Sequence, residues 1–555
     1  MRVLILGGYG TFGGRLATLL ADDARLTLLI AGRSAAKAAA FCTALSAKAT
    51  LVPHVFDRDG DVAAQLQGAE ANIVVDATGP FQAYGADPYR MVEASIALGI
   101  DYLDLADGSE FVAAIGVFDE PARQRGVFVL SGASSFPVLT VAVARSLAEG
   151  LQRVERITAG IAPSPYAGVG LNVIRAIASY AGKAVPLVRD GQVVTGHALI
   201  ETRRYTICPP GRLPLHNIRF SLVDVPDLRV LPAVWPELRD VWVGAGPVPE
   251  ALHRALNVLA WSVKLHLVPS LAPLARVFHR AINTLRWGEH RGGMFVSLCG
   301  IGEDGSRRER SWHLLAEGDD GPLIPSMTAA AIIRHCLDGR RPQAGARAAE
   351  LALEDYDDLF RERTIHAGFR DTPDGPLYHR ILGEAWHGLP APLRSLHSVT
   401  SALTVRGRAE VVRGSGWLSR LIGTLFGFPR AGHDVPVCVT FTVNGGRERW
   451  QRTFGSRSFA SIQTEGRGRH ARLLVERFGP FRFALAVVLN EGRLSLVARH
   501  WDFLGLPLPL WLAPGGEAYE FAADDVFHFH VEIRHWLTGL IVRYHGWLAE
   551  RDVPS

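Results

Sequence analysis

Lysine is almost missing from this 555-residue chain: four of its 59 basic residues are lysines, Lys37, Lys48, Lys183 and Lys264, and the rest are arginines. The net charge is only +4, and no dense basic stripe with interleaved aromatics occurs, so a nucleic-acid partner is not expected. Cysteine is scarce as well. Cys42, Cys208, Cys299, Cys336 and Cys438 are odd in number and far apart, which gives neither a metal-ligand spacing nor a disulfide framework and favours a reducing compartment. No apolar run is clean enough to span a bilayer. The longest candidate, Leu256 to Phe278, is interrupted by Lys264, His266, Pro269, Pro273 and Arg276, and reads as a pair of packed or interfacial helices. The chain starts directly on a strand-like run, which leaves no room for a signal peptide and makes a cytoplasmic location the expectation.

With 48% apolar and 21% charged residues the chain is an ordinary folded protein, and its length calls for two to four domains. The first of them is organised by its opening residues. Val3-Leu4-Ile5-Leu6 suits a buried parallel strand, and Leu16, Leu19 and Leu20 recur at helical spacing. Between them stands Gly7-Gly8-Tyr9-Gly10-Thr11-Phe12-Gly13, so Gly8, Gly10 and Gly13 fall at a strand-to-helix turn. In that context Gly8 serves the tight turn, Gly10 the close approach of a pyrophosphate, and Gly13 the packing of helix on sheet. A second strand over Leu26 to Ile30 ends in Ala31-Gly32-Arg33-Ser34. An acidic residue at that place would accept the ribose 2′-OH of NAD; Arg33 with the Ser34 hydroxyl suits a 2′-phosphate, so NADP is expected.

The alternating pattern continues. His54 to Asp57 ends a third strand, Ala71 to Asp76 is a fourth, Ile100 to Asp104 a fifth and Gly126 to Leu130 a sixth. Ligands on such sheets bind off the carboxyl ends of the strands, which draws in Asp57 and the loop Thr78-Gly79-Pro80 as cofactor-binding residues. No Tyr-x-x-x-Lys pair exists in the chain, and Tyr180 and Lys183 are only three apart. A proton donor must be sought elsewhere. Tyr84 after strand four and Asp104 at the end of strand five are candidates by position; Tyr84 could equally close its loop and Asp104 cap the next helix.

The order GGYGTFG, AGRS, DATGPFQAYG, DYLDLADGSEF and GVFVLSGASSFP, followed by GGMFVSLCG and IPSMTAAAIIRHCLDGRRPQAG, resembles the saccharopine dehydrogenase-like oxidoreductases over roughly residues 1 to 360. The resemblance implies a Rossmann-type NADP-binding domain at 1–133, a second α/β domain at 134–324, and a helix within 325–345 that returns to the first domain. Where several members read GFDSVP, this chain has Gly132-Ala133-Ser134-Ser135-Phe136-Pro137, without the aspartate.

A third unit spans about 377–548 and is β-rich and antiparallel by pattern. Asn444-Gly445-Gly446 and Asn490-Glu491-Gly492 each sit between strand-like runs as hairpin signals, and 371–376 is polar with two prolines and a glycine, as in a linker. Its two ends resemble an uncharacterised bacterial domain found behind such reductases. His528, His530 and Glu532 share a strand face, which is expected to be solvated and not a metal site, while Trp417 to Phe426 has the spacing of a lid, core or membrane-surface helix. Three functions stay open: an NADP-dependent oxidoreductase acting on a small, fairly apolar or lipid-like substrate, a cofactor-binding sensor without turnover, and a lipid-handling protein with peripheral membrane contact through the third unit.

Overall fold

The computed structural model describes residues 1–371 and 375–549. Residues 372–374, the middle of the expected linker, lie outside the described residues. The first sheet is parallel and seven-stranded. Its strands β1 (Arg2–Leu6), β2 (Thr27–Gly32), β3 (Thr50–Val55), β4 (Ile73–Asp76), β5 (Asp101–Asp104) and β6 (Phe128–Ser131) stand in the order β6-β5-β4-β1-β2-β3, and Gly345–Ala348 extends the β6 edge. This is the Rossmann-type arrangement. β1, β4, β5 and β6 are buried along almost their whole length, which is why they read as unbroken apolar runs. Pro53 sits on the outermost strand, where its missing N–H costs no ladder bond. Leu6 pairs with both Ala31 and Asp76, and Asp76 with Asp104, so the carboxyl ends of β2, β1, β4 and β5 lie level. The helix α1 (Thr11–Leu20) buries Leu16, Leu19 and Leu20. It packs beside the helix Ile324–Leu337, whose Ser326 donates to Phe12 O at 3.1 Å and whose Arg334 donates to Leu19 O at 2.9 Å.

The second sheet is mixed. Its centre is Leu151–Ala162, parallel to Asp240–Ala245 and antiparallel to Arg291–Gly302, and the latter forms a hairpin with Arg307–Glu317. Helices Leu171–Tyr180, Glu250–Lys264 and Ala275–Thr284 belong to this layer. Tyr180 thus closes its helix and Lys183 lies beyond it. Among the described residues no helix is long and apolar enough to cross a membrane.

The C-terminal part is a closed barrel. Ten antiparallel strands follow one another from Ala402–Arg413 to Gly539–Ala549, and the last pairs with the first over Arg406↔Ala549 to Arg413↔Val542. Closure removes the edges that an open sheet of this length would expose. Both hairpin signals become two-residue turns with positive φ, Gly445-Gly446 and Glu491-Gly492. On Val526–His535, Phe527 and Phe529 belong to the core, while His528 and His530 lie against Phe521 and Tyr519 with ring centroids 5.2 and 4.7 Å apart.

By compactness the chain divides into Met1–Arg203 with Arg219–His366, and Arg204–Ile218 with the residues from Ala367 onward. The β-rich unit therefore includes a segment far away in sequence, which a boundary at Leu377 omits. Gly211 O accepts the Leu489 N–H at 2.9 Å, and Cys208 O accepts from the buried Arg370 Nε at 2.6 Å. A chain starting at residue 367, which keeps the buried Arg370 but lacks Cys208 and Gly211, should for this reason melt well below the same unit in the full protein, since an orphaned buried partner costs about 1–3 kcal/mol. Calorimetry on both checks this; equal melting temperatures would show that residues 204–218 contribute nothing.

Candidate functional site

The glycine loop is shaped by three separate demands. Gly7, not Gly8, takes the left-handed turn, with φ +71°. Gly8 is needed for contact: a Cβ there would stand 2.8 Å from Ile5 O and 3.1 Å from Ala31 N, and its N–H donates to Ala31 O at 3.0 Å. A Cβ on Gly13 would stand 2.3 Å from Gly7 O, so only glycine lets α1 come this close. At Gly10 a Cβ would meet only Gly7 O, at 3.0 Å, and its other side is open. The first helical bond runs from Gly14 N–H to Gly10 O, so the N–H groups of Thr11, Phe12 and Gly13 point out of the helix start, where an anion is favoured.

At the end of β2 the Tyr9 ring lies on Gly32 and its hydroxyl accepts the Ser34 N–H at 3.1 Å. The Ser34 side chain accepts from Lys37 N at 3.4 Å and so caps α2 (Ala35–Ala44). Arg33 is exposed beside it, and Asp57 is exposed just past β3. The structure thus brings Gly7–Gly13, Arg33 and Ser34 together on one rim of the sheet.

Past β4, Asp76 is buried and accepts from Thr78 N and Oγ1 at 3.0 and 2.6 Å. The Tyr84 hydroxyl joins this group at 2.7 Å from Thr78 Oγ1, with the Arg58 guanidinium 3.1 Å from the centre of its ring. Burial and then the Asp76 charge push the Tyr84 pKa upward. Thr78 O and Gly79 O accept from Asn172 Nδ2 at 3.2 and 3.0 Å, which ties the loop ending at Pro80 to the second layer. Asp104 is fully buried. Its Oδ1 accepts from Gly132 N at 2.7 Å, Ala106 N at 3.0 Å and Ser131 Oγ at 3.0 Å, and its Oδ2 has no partner. Burial raises its pKa from 3.8 to about 7, against the pull of these hydrogen bonds.

Beside the glycine loop lies an apolar cavity of about 270 Å³. Thr11 and Phe12 form one wall, Val173 and Ile177 another, and Leu256, Phe278 and Ile282 a third. Arg15, Tyr180 and His253 border it, and Arg15 is already engaged, donating from Nη2 to Ala167 O at 2.8 Å. His253 Nε2 lies 2.7 Å from Ser221 Oγ, which accepts from Asn257 Nδ2 at 2.9 Å. That leaves the Ser221 proton for Nε2 and puts the imidazole proton on Nδ1, a buried atom with no partner. Burial holds the His253 pKa down at about 4, so the ring is neutral at pH 7. Neither the cavity nor this relay has a signature in the sequence, because Ser221 and His253 come from different elements and only the fold joins them.

His528, His530 and Glu532 do not form a metal-ligating group. Among the described residues the set with that geometry is His470, His500 and Asp502. Arginines already engage it: Arg469 donates to His470 Nε2 at 3.1 Å and Arg482 to Asp502 Oδ2 at 2.7 Å, as in a partly buried polar network.

Residues 389–548 match the family model of a domain of unknown function, DUF4166. No curated protein matches the chain. Among solved structures it is similar to saccharopine dehydrogenase (L-Glu forming) from Saccharomyces cerevisiae, at 14% identity over 67% of this chain and 100% of that one, with a TM-score of 0.48. It is also similar to the WlbA dehydrogenase from Thermus thermophilus in complex with NAD, at 14% identity, 66% and 93% coverage and a TM-score of 0.27. Biliverdin reductase from Synechocystis, in complex with biliverdin and NADP+, gives 15% identity, 64% and 94% coverage and a TM-score of 0.27.

Asp104 makes stability depend on pH in an unusual direction. Between its unfolded value of 3.8 and its folded value of about 7, the folded protein keeps a proton that the unfolded chain releases. Its contribution therefore falls as pH rises through that window, by an amount on the order of several kcal/mol, and is fully lost above it. Relative to wild type, Asp104→Asn should flatten the melting temperature between pH 4 and pH 7.5. Parallel curves for the two proteins would show that Asp104 is not the group responsible.

Proposed function

We propose that the protein is an NADP-dependent oxidoreductase that transfers hydride to or from an apolar substrate held in the cavity beside Thr11 and Phe12. The observation that carries this reading is a shared wall: the helix start that suits a pyrophosphate also lines the apolar cavity. The residues fit the cofactor. Gly10 leaves its outer side open, and the N–H groups of Thr11, Phe12 and Gly13 supply donors. Arg33 offers a charge to the 2′-phosphate, with Asp57 along the same rim. Thr78, Gly79 and Pro80 border the nicotinamide side. Bound there, the cofactor supplies the hydride.

The chain's own residues supply the rest. Val173, Ile177 and Phe278 exclude water from the cavity. Neutral His253 holds a proton at Nδ1, from which it can hydrogen-bond a substrate oxygen. In this reading Tyr84, engaged by Thr78 and Asp76, and Asp104, buried beneath Gly132, hold the two loops in place, and neutral His253 serves as the hydrogen-bond donor that polarises the substrate oxygen, the proton itself coming from solvent.

Titration by intrinsic cofactor fluorescence should show NADPH bound at least about tenfold more tightly than NADH, some 1.4 kcal/mol, with Arg33→Asp reversing or abolishing the preference. His253→Ala should leave NADPH affinity intact and lower turnover of long-chain ketones, aldehydes or enoyl compounds about 10²-fold or more. Equal affinities for the two cofactors in the wild type would defeat the NADP reading. Binding of NADPH without its consumption by any of these substrates would favour a sensor.

A second reading, peripheral contact of a cytoplasmic protein with a membrane, is favoured by residues 251–288. This run holds five Lys or Arg and no Asp or Glu. It exposes Val258, Trp261, Leu265, Leu267, Val277 and Trp287, and its helices also supply Leu256 and Phe278 to the cavity. The protein should float with vesicles containing anionic lipid, and Trp261→Asp with Trp287→Asp should abolish flotation. No flotation by the wild type removes the reading.

A further inference from the structure

The barrel encloses a second cavity, of about 570 Å³, about twice the size of the one beside the glycine loop. Its volume is in the range of small-molecule sites. A ring of ten strands is wide enough that side chains need not fill it, whereas about eight leave room for little beyond the side chains themselves. The wall is aromatic: Phe441, Trp450, Phe454, Phe483, Trp501 and Phe529 all face it.

The charges in this wall are matched among themselves. Arg452 donates to Ser461 Oγ at 2.8 Å and lies 3.5 Å from Glu476, and Glu476 also accepts from Ser461 at 2.6 Å and from Gln463 Nε2 at 3.2 Å. Glu520 is 2.6 Å from His397 Nε2, and Glu532 is within 3.7 Å of Arg534 and Arg543. A charged ligand would have to break one of these pairs at a desolvation cost. A neutral one with a hydroxyl or carbonyl would find both donors and acceptors in Arg452, Gln463 and Glu476, which line the cavity, and keep the pairs intact.

The helix Trp417–Leu425 has two apolar stripes. Leu418 and Ile422, continued by Phe426, line the cavity. Trp417, Leu421 and Leu425, at the same four-residue spacing, are 77%, 58% and 79% exposed. Ser419 Oγ donates to Leu540 O at 2.7 Å, which anchors the helix to the strand Gly539–Ala549. The adjoining turn brings Leu537, which is exposed and also lines the cavity, and exposed Trp536. An inward stripe alone would make an ordinary cap. The second stripe is bare, on the same helix whose other stripe lines the cavity.

We propose that the barrel is a binding site for one uncharged long-chain lipid, of the class of fatty alcohols, fatty aldehydes or their esters, with the helix Trp417–Leu425 as its lid. The chain lies among the rings, and the neutral head group hydrogen-bonds the cluster of Arg452, Gln463 and Glu476. This site is separate from the oxidoreductase reading and does not depend on it.

The test uses the full-length protein, stripped of lipid on a hydrophobic resin and titrated with a pyrene-labelled long-chain alcohol. Saturable one-to-one binding is expected, with unlabelled hexadecanol displacing the probe at least tenfold better than hexadecanoate. Leu496→Arg in the wall should weaken binding at least tenfold, whereas Ile177→Glu in the other cavity should leave it unchanged. Because Leu496→Arg could fold poorly, a diazirine-bearing hexadecanol is crosslinked to the wild type and the labelled peptides are mapped; they should fall on strands Phe481–Asn490 and Arg493–Phe503 or on the lid. Labelling confined to the cavity beside Thr11, loss of binding with Ile177→Glu but not with Leu496→Arg, preference for the carboxylate, or no saturable binding would each overturn the proposal.

Discussion

The carbonyl of Gly7 is the point on which the first domain turns. It accepts the Gly10 N–H at 2.7 Å, and Gly13 passes so close that any side chain there would collide with it. That contact sets the distance of α1 from the sheet. Everything further out inherits the placement: the free N–H groups at the helix start, the contact of Ile324–Leu337 with α1, and the cavity wall formed by Thr11 and Phe12. A larger residue at position 13 would move all of them together, since packed elements transmit shifts instead of absorbing them.

A common physical theme links the two units, each of which holds an apolar chamber with few polar groups at defined places. In the first, a histidine with one unpartnered nitrogen borders a largely hydrophobic wall. In the second, the polar groups are numerous but satisfied by one another. The difference matters for chemistry. An unpartnered buried donor has something to gain from a ligand atom, whereas a matched network favours a ligand that leaves it undisturbed. The buried carboxylates follow the same logic: Asp104 accepts three hydrogen bonds at one oxygen and still has a raised pKa, because desolvation outweighs them.

Residue order alone was enough for local features. Strands β1, β4, β5 and β6 of the Rossmann-type sheet were legible because a fully buried strand is an apolar run between turn residues, and the glycine loop because its spacing needs no distant partner. Both hairpin turns of the barrel were readable from Asn-Gly-Gly and Asn-Glu-Gly for the same reason, and Arg33 stood at a place fixed by strand and motif alone. Even here the fold decided one detail: the left-handed residue is Gly7, one position before the glycine to which the motif assigns the turn. Features that join residues distant in the chain came from the fold. The closure of the barrel rests on pairing Ala402–Arg413 with Gly539–Ala549, and strand periodicity carries no information about which strand meets which. The inclusion of Arg204–Ile218 in the C-terminal unit, the relay of Asn257, Ser221 and His253, and the two cavities arise in the same way. An apolar residue that lines a chamber and one that fills a core have the same pattern in sequence, and only packing separates them.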